Sequence, residues 1–244
     1  MRILVLGTSS GAGKTTFSAM LCRYLHNEGV DVAPFKGSNL SNTSFVTKDG
    51  GEIGVGQQFQ ALACGIEPET DMNPVLLKSV SRGHIAAYID GRATVDITPG
   101  HPLDHDMAME HVHQAFDRLY DRHEFIVCEG SGSPAEVNLY DRDLANTGLM
   151  RELRIPAVLV ADIEKGGVFA AIYGTWLLMP DELKPLLRGV VINRFRGEDS
   201  ILKSGISSHV PYIAAKTPPF SMSATSIAGI LSSLISPVLA RSLS

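Results

Sequence analysis

The chain has 244 residues, of which 44% are hydrophobic, and a formal net charge of −5 at pH 7. This length and apolar content are sufficient for one substantial α/β core. The negative charge argues against nucleic acid as a partner, because binding to a phosphate backbone usually needs a basic surface. Three cysteines without CxxC spacing, and an N-terminal strand with no signal segment before it, predict a reduced, cytoplasmic protein with no membrane partner.

The first fifteen residues carry the most specific motif. An apolar run at residues 3–6 leads into a loop of small residues and then into a helical pattern with apolar side chains at positions 17, 20, 21, 24 and 25. In such a loop the backbone N–H groups and the positive end of the next helix point at the phosphates of ATP. Lys14 is predicted to contact the outer phosphates, and the Thr15 hydroxyl to bind Mg²⁺. The predicted cofactor-binding residues here are Thr8, Ser9, Ser10, Gly11, Ala12, Gly13, Lys14, Thr15 and Thr16.

Two positions in the loop narrow the family. Thr8 stands where the motif GxxxxGK[ST] has glycine, which here comes one residue earlier as Gly7. Ser9 stands where ATPases of the partition and septum-positioning type carry an additional lysine, so a lysine acting in trans is not supported. The pattern instead resembles dethiobiotin synthetase and its relatives, which use ATP to phosphorylate a substrate carboxylate or carbamate. A glycine- and serine-rich loop without nucleotide function is the alternative.

Strands and helices alternate along the chain, as a parallel sheet with helical crossovers requires. Beyond the first unit, strands are predicted at residues 30–35, 85–89, 93–97, 125–128, 157–161 and 189–192, and helices at 57–64 and 104–123. The predicted fold is therefore an α/β P-loop NTPase with a parallel sheet flanked by helices, similar to dethiobiotin synthetase.

Carboxylates follow two of these strands, at the sheet edge where ligands of open parallel sheets collect. Glu129 follows the strand at 125–128 and is predicted to bind Mg²⁺ directly or through water, with an acidic surface turn as the alternative. Asp162 follows the strand at 157–161 and is predicted to be catalytic. A helix cap for the next segment is an equally good explanation of Asp162.

Six further segments resemble, in order, landmarks of cobyric acid synthase. They lie at residues 34–39, 49–54, 71–78, 129–139, 161–170 and 192–197, and the resemblance extends over residues 1–205. Members of that family amidate carboxylates of cobyrinic acid diamide, a corrinoid, in cobalamin biosynthesis. They use ATP and ammonia that a C-terminal glutaminase domain releases from glutamine. The resemblance thus implies a ligase with a corrinoid substrate.

The resemblance also implies roles for individual residues. Lys36 would neutralise charge between the γ-phosphate and the substrate carboxylate, Glu52 would complete the Mg²⁺ site with Glu129, and Asn193 would read adenine. The alternatives are a solvated lysine, a solvated glutamate and a turn asparagine.

The end of the chain departs from the family. Residues 1–206 are predicted to form the synthetase domain, whereas 207–244 form an atypical Ser/Pro-rich tail, and no GxCxG nucleophile motif is present. Ammonia is therefore expected from solution or from a separate glutaminase. A dethiobiotin synthetase-like ligase and a non-catalytic nucleotide-binding module remain alternatives. The oligomeric state stays open, with a homodimer among the alternatives.

Overall fold

The computed structural model describes residues 1–197 and the short strand Phe220–Ser221. The strands are β1 (Arg2–Gly7), β2 (Val32–Phe35), β3 (Ser38–Leu40), β4 (Ser44–Val46), β5 (Glu52–Gly54), β6 (Val75–Ser81), β7 (His84–Ile89), β8 (Arg92–Ile97), β9 (Phe125–Glu129), β10 (Ala157–Asp162), β11 (Leu187–Asn193) and β12 (Phe220–Ser221). The helices are α1 (Lys14–Asn27), α2 (Val55–Cys64), α3 (His105–Arg122), α4 (Thr147–Leu153) and α5 (Val168–Leu178).

The main sheet has six parallel strands in the order β12-β11-β10-β1-β9-β2. Alternate residues of β1 face opposite sides. Leu4 and Leu6 pack in the core that contains α3, whereas Ile3 and Val5 pack in the core that contains α1. Burial on both faces explains why these strands read as continuous apolar runs. The predicted α/β P-loop fold is confirmed.

Smaller β elements lie outside the main sheet. A second sheet has the order β3-β6-β7-β8, and β4 pairs with β5 in an antiparallel hairpin. The strands predicted at 85–89 and 93–97 are confirmed as the antiparallel pair β7 and β8. The sequence prediction missed β3, β4, β5, β6, β12, α4 and α5. Three of these strands are only three residues long, too short for a periodic pattern.

The two helices predicted at 57–64 and 104–123 are found as α2 and α3, with ends within two residues of the predicted ones. Asp104 caps α3 by accepting a 3.1 Å hydrogen bond from the Met107 backbone N–H, which explains why the helix begins there. No helix in the described part of the chain combines the length and apolar character needed to cross a bilayer. Most of the predicted tail lies outside the described residues, so the division at residue 206 stays a prediction.

Candidate functional site

The loop between β1 and α1 takes the form that its sequence predicts. Gly11 and Gly13 have φ of 70° and 104°, a region that glycine adopts without the strain a Cβ brings. A Cβ on Gly13 would also lie only 2.1 Å from Nδ2 of Asn193. The Thr8 backbone N–H donates to the Val160 carbonyl at 2.9 Å, which holds the start of the loop against β10.

Lys14 is the first residue of α1, and its ammonium is held by neutral oxygens. Its Nζ donates to the carbonyl of Gly132 at 2.7 Å and to that of Ser9 at 3.1 Å. Burial is the largest cause that lowers the pKa of Lys14 to about 8, and repulsion from Lys36 acts in the same direction. A desolvated ammonium with only neutral hydrogen-bond partners strongly favours an incoming anion such as phosphate.

Glu129, at the end of β9, is the centre of a buried polar cluster. Its Oε1 accepts hydrogen bonds from Thr15 Oγ1 and Lys36 Nζ, each at 2.8 Å. Its side chain is 1% exposed and that of Lys36 is 9% exposed. This burial excludes both the acidic surface turn and the solvated lysine as explanations. The structure thus brings together Thr15 from the first turn of α1, Lys36 from the end of β2 and Glu129 from the end of β9.

Gln60 completes this cluster and was missed in the sequence. Its Nε2 donates to Glu129 Oε2 at 2.5 Å, while its Oε1 is buried and has no hydrogen-bond partner in the described part of the chain. Helix α2 has a reversed pattern, because Gln57 and Gln60 are buried whereas Phe59 and Leu62 are each 54% exposed. Two glutamines three positions apart on a predicted helix were the available signal.

The cluster fits the Mg²⁺ site predicted for Thr15 and Glu129. A hydroxyl and a carboxylate oxygen converge at 2.8 Å, and oxygen ligands of this kind suit Mg²⁺ beside a phosphate loop. Glu52 lies outside the cluster. Its carboxylate is held by Lys78 and Ser44, whose hydrogen bonds lower its pKa. A metal role for Glu52 stays a prediction and requires this ion pair to break.

Asp162 and Asn193 end the neighbouring strands β10 and β11. Asp162 caps the 3-10 turn Ile163–Lys165 through the Glu164 N–H at 3.0 Å, and its other oxygen accepts from Arg194 Nη1 at 3.0 Å. The helix-cap interpretation is confirmed, and the catalytic role stays a prediction. Asn193 Nδ2 donates to the Ala12 carbonyl at 2.9 Å, so Asn193 braces the phosphate loop. Its contact with adenine also stays a prediction.

A cavity of about 330 Å³ opens beside the loop. It extends from the phosphate loop and the segment after β9 to β3 and β6 of the second sheet. Its lining combines hydroxyl and carboxylate groups with leucine side chains, including Ser10, Ser38, Glu136, Asp143, Leu40 and Leu77. Asn146 fixes the segment after β9, because its side chain accepts from the Ser131 N–H at 3.1 Å and donates to the Ser131 carbonyl at 2.5 Å. A substrate in this cavity would lie next to the phosphate loop.

Residues 3–218 match the family described as the CobQ/CobB/MinD/ParA nucleotide binding domain. The chain is 48% identical over 208 residues to a probable cobyric acid synthase from Methanoculleus marisnigri, covering 85% of this chain and 42% of the relative. It is 45% identical over 206 residues to a probable cobyric acid synthase from Archaeoglobus fulgidus, covering 84% and 44%. The chain therefore spans about two fifths of the length of these relatives. Among solved structures, the chain is similar to the signal recognition particle receptor FtsY from Elizabethkingia anophelis in complex with GDP, with a TM-score of 0.50 and 14% identity. The superposition covers 91% of this chain and 56% of that one. At this identity the similarity shows the fold alone.

Proposed function

Because the chain belongs to the family of CobQ/CobB/MinD/ParA nucleotide-binding domains, we propose that it carries an ATP-dependent synthetase activity. Its substrate would be a carboxylate of cobyrinic acid diamide, which it converts to an amide for cobalamin biosynthesis. The names of its relatives support the corrinoid substrate. The observation that carries the proposal is the Glu129 cluster, in which one carboxylate accepts from both Thr15 and the buried Lys36. The cavity is lined by Ser38 and Ser131, each two residues beyond a member of this cluster.

The reaction has two balanced steps. A carboxylate oxygen of the substrate attacks the γ-phosphorus of ATP, and the bond to the β–γ bridging oxygen breaks, which gives an acyl phosphate and ADP. Ammonia then attacks the carbonyl carbon, inorganic phosphate leaves with one oxygen of the original carboxylate, and the nitrogen loses a proton. The residues contribute mainly by positioning the reactants and by stabilising charge.

In this proposal each residue of the cluster has a distinct task. Lys14 and the loop amides hold the outer phosphates. Lys36 lies between the γ-phosphate and the substrate carboxylate and reduces their mutual repulsion. Thr15 and Glu129 would hold Mg²⁺, which when bound neutralises phosphate charge. Asp162 keeps its predicted catalytic role, and Asn193 keeps its predicted contact with adenine.

The three cysteines bear on whether this chain can release ammonia from glutamine. All three cysteines of the chain are buried, and burial raises the pKa of Cys22 and of Cys128. None is therefore suited to be the thiolate nucleophile that glutamine hydrolysis by this class of enzyme needs. We expect amide formation with an ammonium salt and not with glutamine alone.

The test is ATP turnover by the purified chain with cobyrinic acid diamide, with diaminopelargonic acid, or with neither, each with ammonium chloride. The proposal requires turnover that rises only with the corrinoid. A rise with diaminopelargonic acid would identify a dethiobiotin synthetase-like ligase. Nucleotide binding without turnover under any condition would identify a non-catalytic module.

The two predicted metal carboxylates can be separated in the same assay. Glu129→Gln is expected to lower turnover far more than nucleotide affinity, because the loop still holds the phosphates. Glu52→Gln is expected to do the same only if Glu52 leaves Lys78 to reach the metal. Normal turnover in Glu52→Gln would remove that residue from the metal site.

A further inference from the structure

Lys165 places a second ammonium on the phosphate loop. It lies at the end of the turn after β10, and its Nζ donates to Ser9 Oγ at 3.1 Å and to the Ser10 carbonyl at 2.7 Å. Ser9 also accepts from Lys14 through its carbonyl, at 3.1 Å. Two lysines from distant parts of the sequence therefore contact the same loop residue. Ser9 is the position at which partition-type ATPases carry an additional lysine.

The local structure holds Lys165 in place. Buried Asp162 caps the turn, and the N–H of Gly166 donates to the Ile163 carbonyl at 3.1 Å. Gly166 and Gly167 follow with φ of 75° and 61°, a region that glycine adopts without strain. The Lys165 side chain is exposed, but its backbone position is defined by these contacts with the end of β10.

The neighbouring carboxylate is drawn away from Lys165. Glu164 is the adjacent residue, yet its oxygens lie 2.7 Å from Arg196 Nη2 and 3.8 Å from Arg194 Nη1. In the described part of the chain, Lys14 and Lys165 have only neutral oxygens as hydrogen-bond partners. Both ammonium groups contact Ser9. Burial and Lys36 are the main causes that lower the pKa of Lys14, Lys165 adds to them, and the carboxylates of Glu129 and Glu136 act in the opposite direction. An anion between the two ammonium groups would relieve the repulsion between them.

The position of Lys14 indicates which phosphate of ATP would lie between the two ammonium groups. In a phosphate loop the lysine reaches the β- and γ-phosphates, while the amides before the helix hold the inner ones. The Lys14 ammonium lies at the carbonyls of Ser9 and Gly132, so the outer phosphates belong at the Ser9 end of the loop. A Cβ built on Gly11 would lie 3.6 Å from Lys165 Nζ, which places this ammonium over the same part of the loop.

We propose that Lys165 is a second phosphate-binding lysine, supplied in cis, that contacts the terminal phosphate of bound ATP. This inference rests on the proposed binding of ATP and assigns Lys165 the task of distinguishing the triphosphate from the diphosphate. Lys165 forms no covalent bond and transfers no proton. Its charge offsets negative charge on the γ-phosphoryl group.

The test compares the affinities of the full chain for MgADP and for the Mg²⁺ complex of AMPPNP, a non-hydrolysable triphosphate, by calorimetry. Lys165→Met is expected to weaken AMPPNP binding by about tenfold or more and ADP binding by less than about twofold, since a charge-assisted hydrogen bond to the γ-phosphate alone is lost. Lys165→Arg keeps the charge and is expected to stay within about threefold of the wild type for both.

Lys48→Met is the matched control, because Lys48 is exposed and pairs with Glu67 at 3.1 Å, away from the loop. Equal weakening of both nucleotides by Lys165→Met would make Lys165 a brace for the Ser10 carbonyl and overturn the proposal. Unchanged binding of both would overturn it as well. Suppose that the wild type and Lys48→Met bind nucleotide and Lys14→Ala does not. Either of these two results for Lys165→Met would then overturn only the role of Lys165, and the proposed binding of ATP would stand. A wild type that binds neither nucleotide removes ATP binding and this inference together.

Discussion

The buried ion pair between Glu129 and Lys36 makes a strong prediction for protein stability. The two side chains are 1% and 9% exposed, with 2.8 Å between Oε1 and Nζ. Glu129→Gln keeps the shape of the side chain but leaves the Lys36 ammonium buried without its carboxylate. Removal of one partner of a buried pair costs about 3–5 kcal/mol. We expect this loss in the free energy of unfolding, which is a large fraction of the stability of a typical domain.

Urea denaturation at neutral pH measures this effect. Lys36→Met alone is expected to cost a similar amount, because among the described residues only Thr15 and Gln60 would then donate to the buried carboxylate. The double variant Glu129→Gln/Lys36→Met leaves no unpaired charge and is expected to regain most of the loss. Glu67→Gln, which breaks an exposed pair with Lys48, serves as the control and is expected to cost less than about 1 kcal/mol.

Two results would refute this reasoning. A loss below about 1 kcal/mol in Glu129→Gln would mean that the pair is not desolvated as its burial indicates. Losses of the two single variants that simply add in the double variant would mean that the charges are not coupled. ATP turnover distinguishes the effect on stability from the effect on catalysis. The double variant is expected to be stably folded and still to turn over no ATP.

Three further predictions concern the phosphate loop. Lys14→Ala should abolish most nucleotide binding in calorimetry, and unchanged affinity would contradict the loop assignment. Because the pKa of Lys14 is lowered to about 8, its charged form is lost as pH rises above that value. The affinity for ADP is therefore expected to fall about tenfold from about pH 8 to about pH 9.3. An affinity that does not change with pH would show that this ammonium does not bind phosphate. Gly13→Ala is expected to lower the free energy of unfolding in urea more than Gly29→Ala does. Both glycines have positive φ, but only a Cβ at Gly13 would meet the Asn193 amide, at 2.1 Å. Equal losses of stability would show that this close approach is unimportant.

The main sheet could be predicted because its strands are buried on both faces. Every residue of β10 is buried, and β9 is likewise buried from end to end, so each forms an apolar run that ends in a carboxylate. The convergence of Lys14, Thr15 and Glu129 then follows from the common edge at which parallel strands end. Lys36 and its predicted role came from the resemblance to cobyric acid synthases.

Other parts of the site depend on tertiary neighbours that the sequence does not reveal. Lys165 and Ser9 are 156 residues apart and meet because β10 lies beside β1 in the sheet. Glu52 was grouped with Glu129, but its partner Lys78 is on β6, whose position beside β3 has no sequence signal. Gln60 was missed because helix patterns are interpreted with apolar residues inside, and α2 places two glutamines there.

The origin of the oxygen in inorganic phosphate tests the proposed acyl phosphate most directly. The purified chain would be given MgATP, ammonium chloride and cobyrinic acid diamide labelled with ¹⁸O in its carboxylates. If the substrate carboxylate attacks the γ-phosphorus and phosphate later leaves the carbonyl carbon, each amide formed is accompanied by one phosphate that carries one ¹⁸O atom. Unlabelled phosphate accompanying labelled amide, or ¹⁸O found in AMP, would contradict the account.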